Sequence, residues 1–202
     1  MRNNLREAMR LLKQAGYEVR DQQLVNVKTG EPYVIELLSE GSGFDRVFLF
    51  YKPSLDRLGI ATTVRTVDEV QYQNRLRSWD FDIITAVWPV SLTPGNELHG
   101  YWGSRAAEEP GSHNRVGIKN PAVDAMIDQI AFAKNRADLE AAARALDRIL
   151  LWNHYVVPQW YYDKVRTARW DRFGHPDPMP KFGRAAFPSV WWWDVQKSSK
   201  AG

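Results

Sequence analysis

An aromatic and polar loop follows a short apolar segment in the middle of the chain, and its side chains could bind a ligand. Residues 81–87 are rich in β-branched types and lie between Asp80 and Pro89, which predicts a strand covered on both faces. Open α/β sheets bind ligands beyond the carboxyl ends of their strands. We therefore expect residues 88–96, which include Trp88, Ser91 and Asn96, to line a binding cleft. The alternative is that Trp88 is a core aromatic at the end of the strand.

The sequence carries no recognisable catalytic or metal-binding pattern. Its four histidines have no spacing that places two ligands on one helical face, and it contains no HExxH motif. There is no G-x-S-x-G elbow and no P-loop, and the scattered carboxylates define no acid–base pair. The absence of Cys excludes thiol catalysis, thiolate metal sites and disulfides. We expect no enzyme activity, no metal and no cofactor.

The composition predicts a folded chain with an unusual number of aromatic rings. The 202 residues are 44% hydrophobic and 25% charged, which allows a core and excludes a disordered chain. Nine Trp, eight Tyr and eight Phe either fill a large core or line a surface that stacks on ligands. No apolar run approaches the roughly 18 residues of a membrane span, and the N-terminus lacks the apolar segment of a signal peptide.

Basic and aromatic residues alternate in the last forty or so residues, which is the chemistry that binds phosphates and bases. However, the net charge is only +3, and Lys and Arg are interspersed with Asp and Glu over most of the chain. No RNA-binding signature such as the RNP1 pattern is present. A small module that binds carbohydrate or nucleic acid through this segment is the alternative function.

Helices and strands are predicted to alternate before the loop. Asn4 is a plausible N-cap for a first helix that ends at Gly16, and strands over residues 17–27 and 32–38 follow around a turn. A second helix is predicted over residues 44–58, with a kink or a break caused by its interior proline.

A strand over residues 60–66 and a helix over residues 68–77 complete a β-α-β crossover, which predicts an α/β sheet with parallel pairs. After the loop, Asn120 and Asn135 are predicted to cap the two helices of a hairpin. A strand is predicted over residues 156–162. The final segment, from Asp171 onward, has no helical period and no predicted partner within the chain, so we expect it to lie on another surface.

Five segments in this order resemble the extracellular solute-binding proteins of family 5, which serve peptide-type ABC importers. The chain is similar in particular to the branch linked to the uptake of microcin C and related peptides. The segments are LREAMRLLKQAGY (5–17), FLFYKPSLDRLGI (48–60), FDIITAVWPVSLTPGNELHGYWGS (81–104), NPAVDAMID (120–128) and VVPQWYY (156–162).

The resemblance implies an α/β fold, namely the C-terminal lobe of a type II periplasmic-binding protein, with a mixed sheet flanked by helices and an aromatic tail. Residues 1–164 would form most of this lobe, with part of its N-terminal end missing, and residues 165–202 would return to pack on an absent first lobe. The chain would thus be roughly the last third of a two-lobed receptor. We expect a signal peptide upstream, a periplasmic location and a monomeric full-length protein.

The implied function is that of the substrate-binding component of an ABC importer, with no cofactor and no nucleic-acid partner. Such receptors close over peptides or modified peptides in a cleft between the lobes and deliver them to permease subunits in the inner membrane. Because one lobe holds only half of the cleft, we expect the fragment alone to bind weakly or not at all.

The resemblance also assigns the ligand-binding residues. They are Thr85, Trp88, Ser91, Asn96, Asn114, Trp160 and Tyr161. Relatives commonly carry an Asp at the position of Ser91, where it pairs with the α-amine of the ligand, and some carry a basic residue at the position of Thr85. Neutral hydroxyls cannot form these ion pairs. The expected ligand is therefore a modified or unusual peptide that is held by stacking and by backbone contacts.

Overall fold

The computed structural model of the protein describes residues 2–161, 168–180 and 189–199, which belong to two units, Met1–Val156 and Val157–Gly202. The division into a lobe of residues 1–164 and a return segment of residues 165–202 stays a prediction. Among the described helices, none combines the length and the apolar character that a membrane span requires.

Helices and strands alternate along most of the first unit. In chain order they are α1 (Arg2–Gln14), β1 (Tyr17–Arg20), β2 (Gln23–Asn26), β3 (Val34–Glu40), α2 (Asp45–Asp56), β4 (Ala61–Val67), α3 (Glu69–Arg77), β5 (Ile83–Ile84), α4 (Glu97–Trp102), a 3-10 turn (Arg105–Glu108), α5 (Pro121–Ala131) and α6 (Arg136–Trp152).

The start of the chain differs from the prediction in two respects. Helix α1 already includes Arg2, so Asn4 lies within the helix and is not its N-cap. The single strand predicted over residues 17–27 is an antiparallel hairpin of β1 and β2. Asp21 and Gln22 both have positive φ angles, 47° and 67°, which is the backbone of a type I′ hairpin turn. Gly16, with φ of 89°, ends α1 as predicted.

Three parallel strands form the sheet, in the order β4-β3-β5. Helix α2 connects β3 to β4, and α3 connects β4 to β5, because parallel strands need a crossover connection. The central strand β3 is the most buried of the three, with Leu37, Leu38 and Ser39 almost inaccessible to solvent. The predicted α/β fold with parallel pairs is confirmed.

Helix α2 is one continuous element, so the predicted break at Pro53 does not occur. The helix continues for three residues beyond this proline, and Lys52 and Asp56 form an ion pair across it at 2.8 Å. Phe48 and Leu55 are buried on the same helix. Their burial offsets the free-energy cost of the one hydrogen bond that the proline cannot donate.

Strand β5 is much shorter than predicted and is not covered on both faces. Only Ile83 and Ile84 pair with β3, and both side chains are half-buried, whereas Val87 is 79% exposed. The physical reason is the position of β5 at the edge of the sheet, where one neighbour alone fixes the strand. The backbone from Thr85 onward is therefore loop.

The helical hairpin of α5 and α6 is as predicted. The Asn120 side chain accepts a hydrogen bond from the Ala122 amide, and the Asn135 side chain accepts one from the Asp138 amide, each at 2.9 Å. Both helices contribute to one buried apolar cluster, which consists of Leu98, Ile118, Val123, Ile127, Ile130, Ala142 and Leu146.

The second unit contains a small antiparallel pair, β6 (Phe173–Gly174) and β7 (Trp192–Trp193), followed by the single-turn helix α7 (Val195–Ser198). Phe173 pairs with Trp193, so the segment from Asp171 onward forms a strand pair within itself, and the expectation that it lies on another surface stays a prediction. The strand predicted over residues 156–162 is absent from residues 156–161, which have no neighbouring strand, and Tyr162 lies outside the described residues.

Candidate functional site

The carboxyl end of β5 is tied to helix α3 through Tyr72. The Tyr72 hydroxyl donates a hydrogen bond of 3.4 Å to the backbone oxygen of Thr85, the first residue after the strand. Burial raises the pKa of Tyr72, the negative charge of Glu40 raises it further, and the Arg115 guanidinium opposes both effects. Tyr72 is therefore a neutral hydrogen-bond donor at physiological pH.

An ionic network fixes the start of β5. The Arg75 guanidinium lies 2.6 Å from Glu36 and 2.8 Å from Asp80, and the Asp82 carboxylate accepts a hydrogen bond of 2.8 Å from the Glu36 amide. Burial alone would lower the pKa of Arg75, but the hydrogen bonds and the negative charges of Glu36 and Asp80 raise it. Asp80 and Asp82 therefore position the edge strand.

Residues 85–96, which we call the Trp88 loop, leave the sheet and run to α4. The half-buried Trp88 ring packs on Trp102, with ring centroids 4.6 Å apart and planes tilted by 35°. Its indole Nε1 donates to the backbone oxygen of His113 at 3.3 Å. Trp88 is thus held by one ring and one carbonyl and is only partly buried, and its contact with a ligand stays a prediction.

Two further contacts anchor the Trp88 loop. The Tyr101 hydroxyl of α4 donates to the backbone oxygen of Pro89 at 3.3 Å, and the Arg136 guanidinium of α6 donates to that of Leu92 at 2.8 Å. Both contacts go to backbone, so they fix the path of the loop without covering its side chains. Val90, between the two anchors, is 51% exposed.

Of the three polar residues that the sequence assigned to this loop, Ser91 and Asn96 are exposed and Thr85 is half-buried. The Ser91 hydroxyl accepts a hydrogen bond of 3.1 Å from the Thr93 amide, so it stabilises a local turn and keeps its proton available. Asn96 precedes α4, and its side chain makes no capping hydrogen bond to that helix. Both side chains are accessible to a ligand.

Residues 113–118, which we call the Asn114 loop, support the Trp88 loop. The Asn114 side chain is fully buried and makes three hydrogen bonds of 3.0 Å, donating to the oxygens of Gly103 and Ile118 and accepting from the Ile118 amide. The structure therefore gives this side chain no access to a ligand, contrary to the expectation from the sequence. Its hydrogen bonds fix the backbone that receives Trp88.

Sequence reasoning missed Arg115, which lies on the same loop. Its backbone amide donates to the His113 oxygen at 2.9 Å, the oxygen that also accepts from Trp88. Its guanidinium donates to the backbone oxygen of Leu76 at 3.2 Å, and burial lowers its pKa. No motif could have revealed this residue, because Leu76 lies 39 positions earlier in the chain.

The structure brings five of the predicted site residues into the first unit: Thr85, Trp88, Ser91, Asn96 and Asn114. Trp160 and Tyr161 belong to the second unit, where they are 53% and 85% exposed. Their predicted contact with a ligand stays a prediction. Over the described part of the chain, no three side chains of the types that bind metals lie close enough together to hold an ion.

The sequence of the chain is similar to those of known bacterial proteins. A family model described as bacterial extracellular solute-binding proteins, family 5 Middle, matches residues 2–109. A protein of Agrobacterium fabrum named "Probable peptide-binding protein YejA" is 48% identical over 201 residues, which are 100% of this chain and 32% of that protein. The chain thus spans about a third of the length of the curated relatives it matches.

Solved structures show the fold. The oligopeptide-binding protein AppA of Bacillus subtilis, in complex with a nonapeptide, matches with a TM-score of 0.66 at 17% identity over 74% of this chain and 30% of its own. The periplasmic oligopeptide-binding protein of an ABC transporter of Thermotoga maritima, with bound mannohexaose, matches with a TM-score of 0.66 at 20% identity over 78% of this chain and 31% of its own. The predicted periplasmic-binding-protein fold is confirmed.

Proposed function

Because the chain belongs to the bacterial extracellular solute-binding proteins of family 5, we propose that it forms part of the peptide-binding component of an ABC importer. In the longer protein, the Trp88 loop lines one side of the cleft in which a peptide or modified peptide binds. The ligand is then delivered to permease subunits in the inner membrane. The longer protein works in the periplasm as a monomer, without enzyme activity or cofactor and without a nucleic-acid partner.

The observation that carries this proposal is the way the Trp88 loop is built. Hydrogen bonds hold the Trp88 indole and the backbone oxygens of Pro89 and Leu92, while Val87 and Val90 stay largely exposed. Apolar side chains on an ordered, accessible loop are typical of ligand sites. Because the loop is already ordered, binding does not incur the conformational entropy cost of ordering it. The likeness to AppA, whose structure contains a nonapeptide, supports a peptide as ligand.

The polar groups of the loop favour a ligand without a free α-amine at this point. Ser91 offers a hydroxyl and no carboxylate, so a charged amine would lose its hydration without gaining an ion pair. A blocked or modified peptide has no such cost. We place Thr85, Ser91 and Asn96 as hydrogen-bonding residues and Trp88 as the aromatic residue against which the ligand packs, with Trp160 and Tyr161 as further stacking residues.

The first test is native mass spectrometry of the longer protein isolated gently from the cell envelope. We expect a chain near three times the length of this one, with a peptide-sized adduct. An isolated chain of 23.3 kDa without a small adduct would contradict the proposal.

The second test is Trp88→Ala in the longer protein. We expect the affinity for the ligand released from the native protein to fall at least about tenfold, because a stacking aromatic is lost. Trp152→Ala is the matched control, since Trp152 is an 80% exposed tryptophan at the end of α6 and outside the Trp88 loop. An unchanged affinity in Trp88→Ala, measured by calorimetry, would remove Trp88 from the site.

A further inference from the structure

Arg115 is a half-buried cation without a carboxylate partner in the described part of the chain. The guanidinium makes one hydrogen bond, to the backbone oxygen of Leu76 at the end of α3. Other buried or half-buried cations near the sheet are neutralised, as Arg75 is by Glu36 and Asp80. Arg115 therefore differs from them in lacking a counter-charge.

The Leu76 oxygen does not supply that charge. A helix C-terminus carries only about half an elementary negative charge, spread over its last carbonyls. A guanidinium has five N–H groups, so a single carbonyl leaves most of them without a partner among the residues that the structure describes. Charged groups withdrawn from water are normally paired, which indicates that Arg115 has an anionic partner in the working protein.

The carboxylates of the neighbouring elements do not fill this role. Glu40, at the carboxyl end of β3, influences the pKa of Tyr72 but makes neither a hydrogen bond nor an ion pair with Arg115 among the described residues. Glu36 and Asp80 are occupied by Arg75. The partner must therefore come from outside these elements.

The backbone of Arg115 is next to the Trp88 loop. Its amide and the Trp88 indole donate to the same oxygen, that of His113, so the two residues are directly linked. Its guanidinium donates to the Leu76 oxygen, one helical turn along α3 from Tyr72, whose hydroxyl donates to the Thr85 oxygen. The guanidinium therefore lies at the end of α3, and the Arg115 backbone lies beside the Trp88 ring.

We propose that Arg115 binds an oxyanion of the ligand, a carboxylate or a phosphate, next to the Trp88 loop. This inference rests on the proposed function and adds a charge preference to it. The site around Ser91 has no carboxylate to hold an amine, whereas Arg115 offers a planar fork of donors that matches two oxygens of an anion. The ligand is thus recognised by its acidic group.

The test uses the longer protein and three synthetic pools of N-acetylated hexapeptides, whose mixed sequences contain no Asp, Glu, Lys or Arg. The first pool ends in a free carboxylate, the second in a C-terminal amide, and the third in an amidated phosphoserine. Apparent affinity is measured as peptide retained by immobilised protein over a range of pool concentrations. We expect the wild type to bind an anionic pool at least about tenfold better than the neutral pool. The preferred anionic pool distinguishes carboxylate from phosphate.

The variants are Arg115→Gln, Arg115→Lys and the control Arg77→Gln. Arg77 is exposed at the end of α3, so its replacement changes the net charge equally without touching the site. We expect Arg115→Gln to bind the anionic and neutral pools equally, Arg115→Lys to keep part of the preference, and Arg77→Gln to behave as wild type. The melting temperature of Arg115→Gln should equal or exceed that of the wild type, because an uncompensated half-buried charge is removed.

Two results would overturn the inference in different ways. In the first result, the wild type binds all pools equally, and Arg115→Gln leaves these affinities unchanged but lowers the melting temperature. Arg115 then only stabilises the end of α3, and the proposed function stands. If the wild type binds none of the pools, peptide binding fails and the role of Arg115 in it fails with it.

Discussion

The α5–α6 hairpin and the Trp88 loop lie in the same unit of the chain and are stabilised in opposite ways. The hairpin buries Val123, Ile127 and Ile130 almost completely, and its caps are satisfied by side chains of its own. The Trp88 loop exposes Val87 and Val90 and is held through hydrogen bonds to its backbone and one stacked ring. The hairpin's apolar surface stabilises the fold, whereas that of the loop is left for a ligand.

The Asn114 loop connects these two regions. Asn114 itself is as buried as the hairpin core, yet its neighbours His113 and Arg115 contact the Trp88 loop and the end of α3. A buried residue fixes the backbone of its accessible neighbours. The neighbouring side chains can therefore bind a ligand without contributing to the core. Substitutions in the three regions should therefore separate stability from binding.

The largest effect is expected for Ile127→Ala in the hairpin. Ile127 is fully buried, so the variant leaves a cavity and should lower the free energy of unfolding by about 4 kcal/mol. Urea denaturation measures this change. Leu92→Ala in the Trp88 loop is the control, and because Leu92 is 56% exposed we expect a change within about 0.5 kcal/mol. Equal losses in both variants would abolish the contrast between core and loop.

The next effect is expected for Asn114→Ala. The variant leaves the Ile118 amide and the Gly103 and Ile118 oxygens without partners in a buried place, which should cost about 3 kcal/mol. Asn96→Ala removes an exposed amide of the same type and should leave stability unchanged within about 0.5 kcal/mol. Denaturation curves that coincide for the two variants would show that the Asn114 loop is not fixed by this side chain.

A smaller effect on stability is expected for Trp88→Ala. The lost contact with Trp102 should cost about 1 kcal/mol, since a stacked aromatic pair contributes in that range. The loss of ligand affinity in the same variant should exceed this change in stability. A destabilisation as large as that of Ile127→Ala would place Trp88 in the core after all and would weaken the proposed site.

The smallest effect is expected from the ionisation of Tyr72. Its pKa is raised by burial above the ordinary value of 10.0, so the folded state holds this proton more tightly than the unfolded state. The corresponding stability is fully present below about pH 10 and is lost as the pH rises further. Melting temperatures between pH 8 and pH 11, in about half-unit steps, should therefore fall more steeply for the wild type than for Tyr72→Phe. If the melting temperatures of the two proteins fall equally with pH, burial does not raise the pKa of Tyr72.

Local chemistry explains which elements the sequence predicts well. The caps Asn120 and Asn135 and the helix end at Gly16 depend on residues within one turn, and all three are as expected. The turn at Asp21 and Gln22 was missed because neither residue signals a left-handed backbone as strongly as glycine does. The length of β5 was overestimated, since an apolar run cannot tell a central strand from an edge strand.

The sequence by itself determined the family, the alternation of helices and strands, and the aromatic loop after β5. These features depend on neighbouring residues, on periodicity, or on motifs in a fixed order. Only the tertiary structure decided that Asn114 is a buried support and that Arg115 lies beside Trp88. The reason is that burial and charge pairing depend on contacts between distant segments, such as the one between Arg115 and Leu76, and no local pattern encodes them.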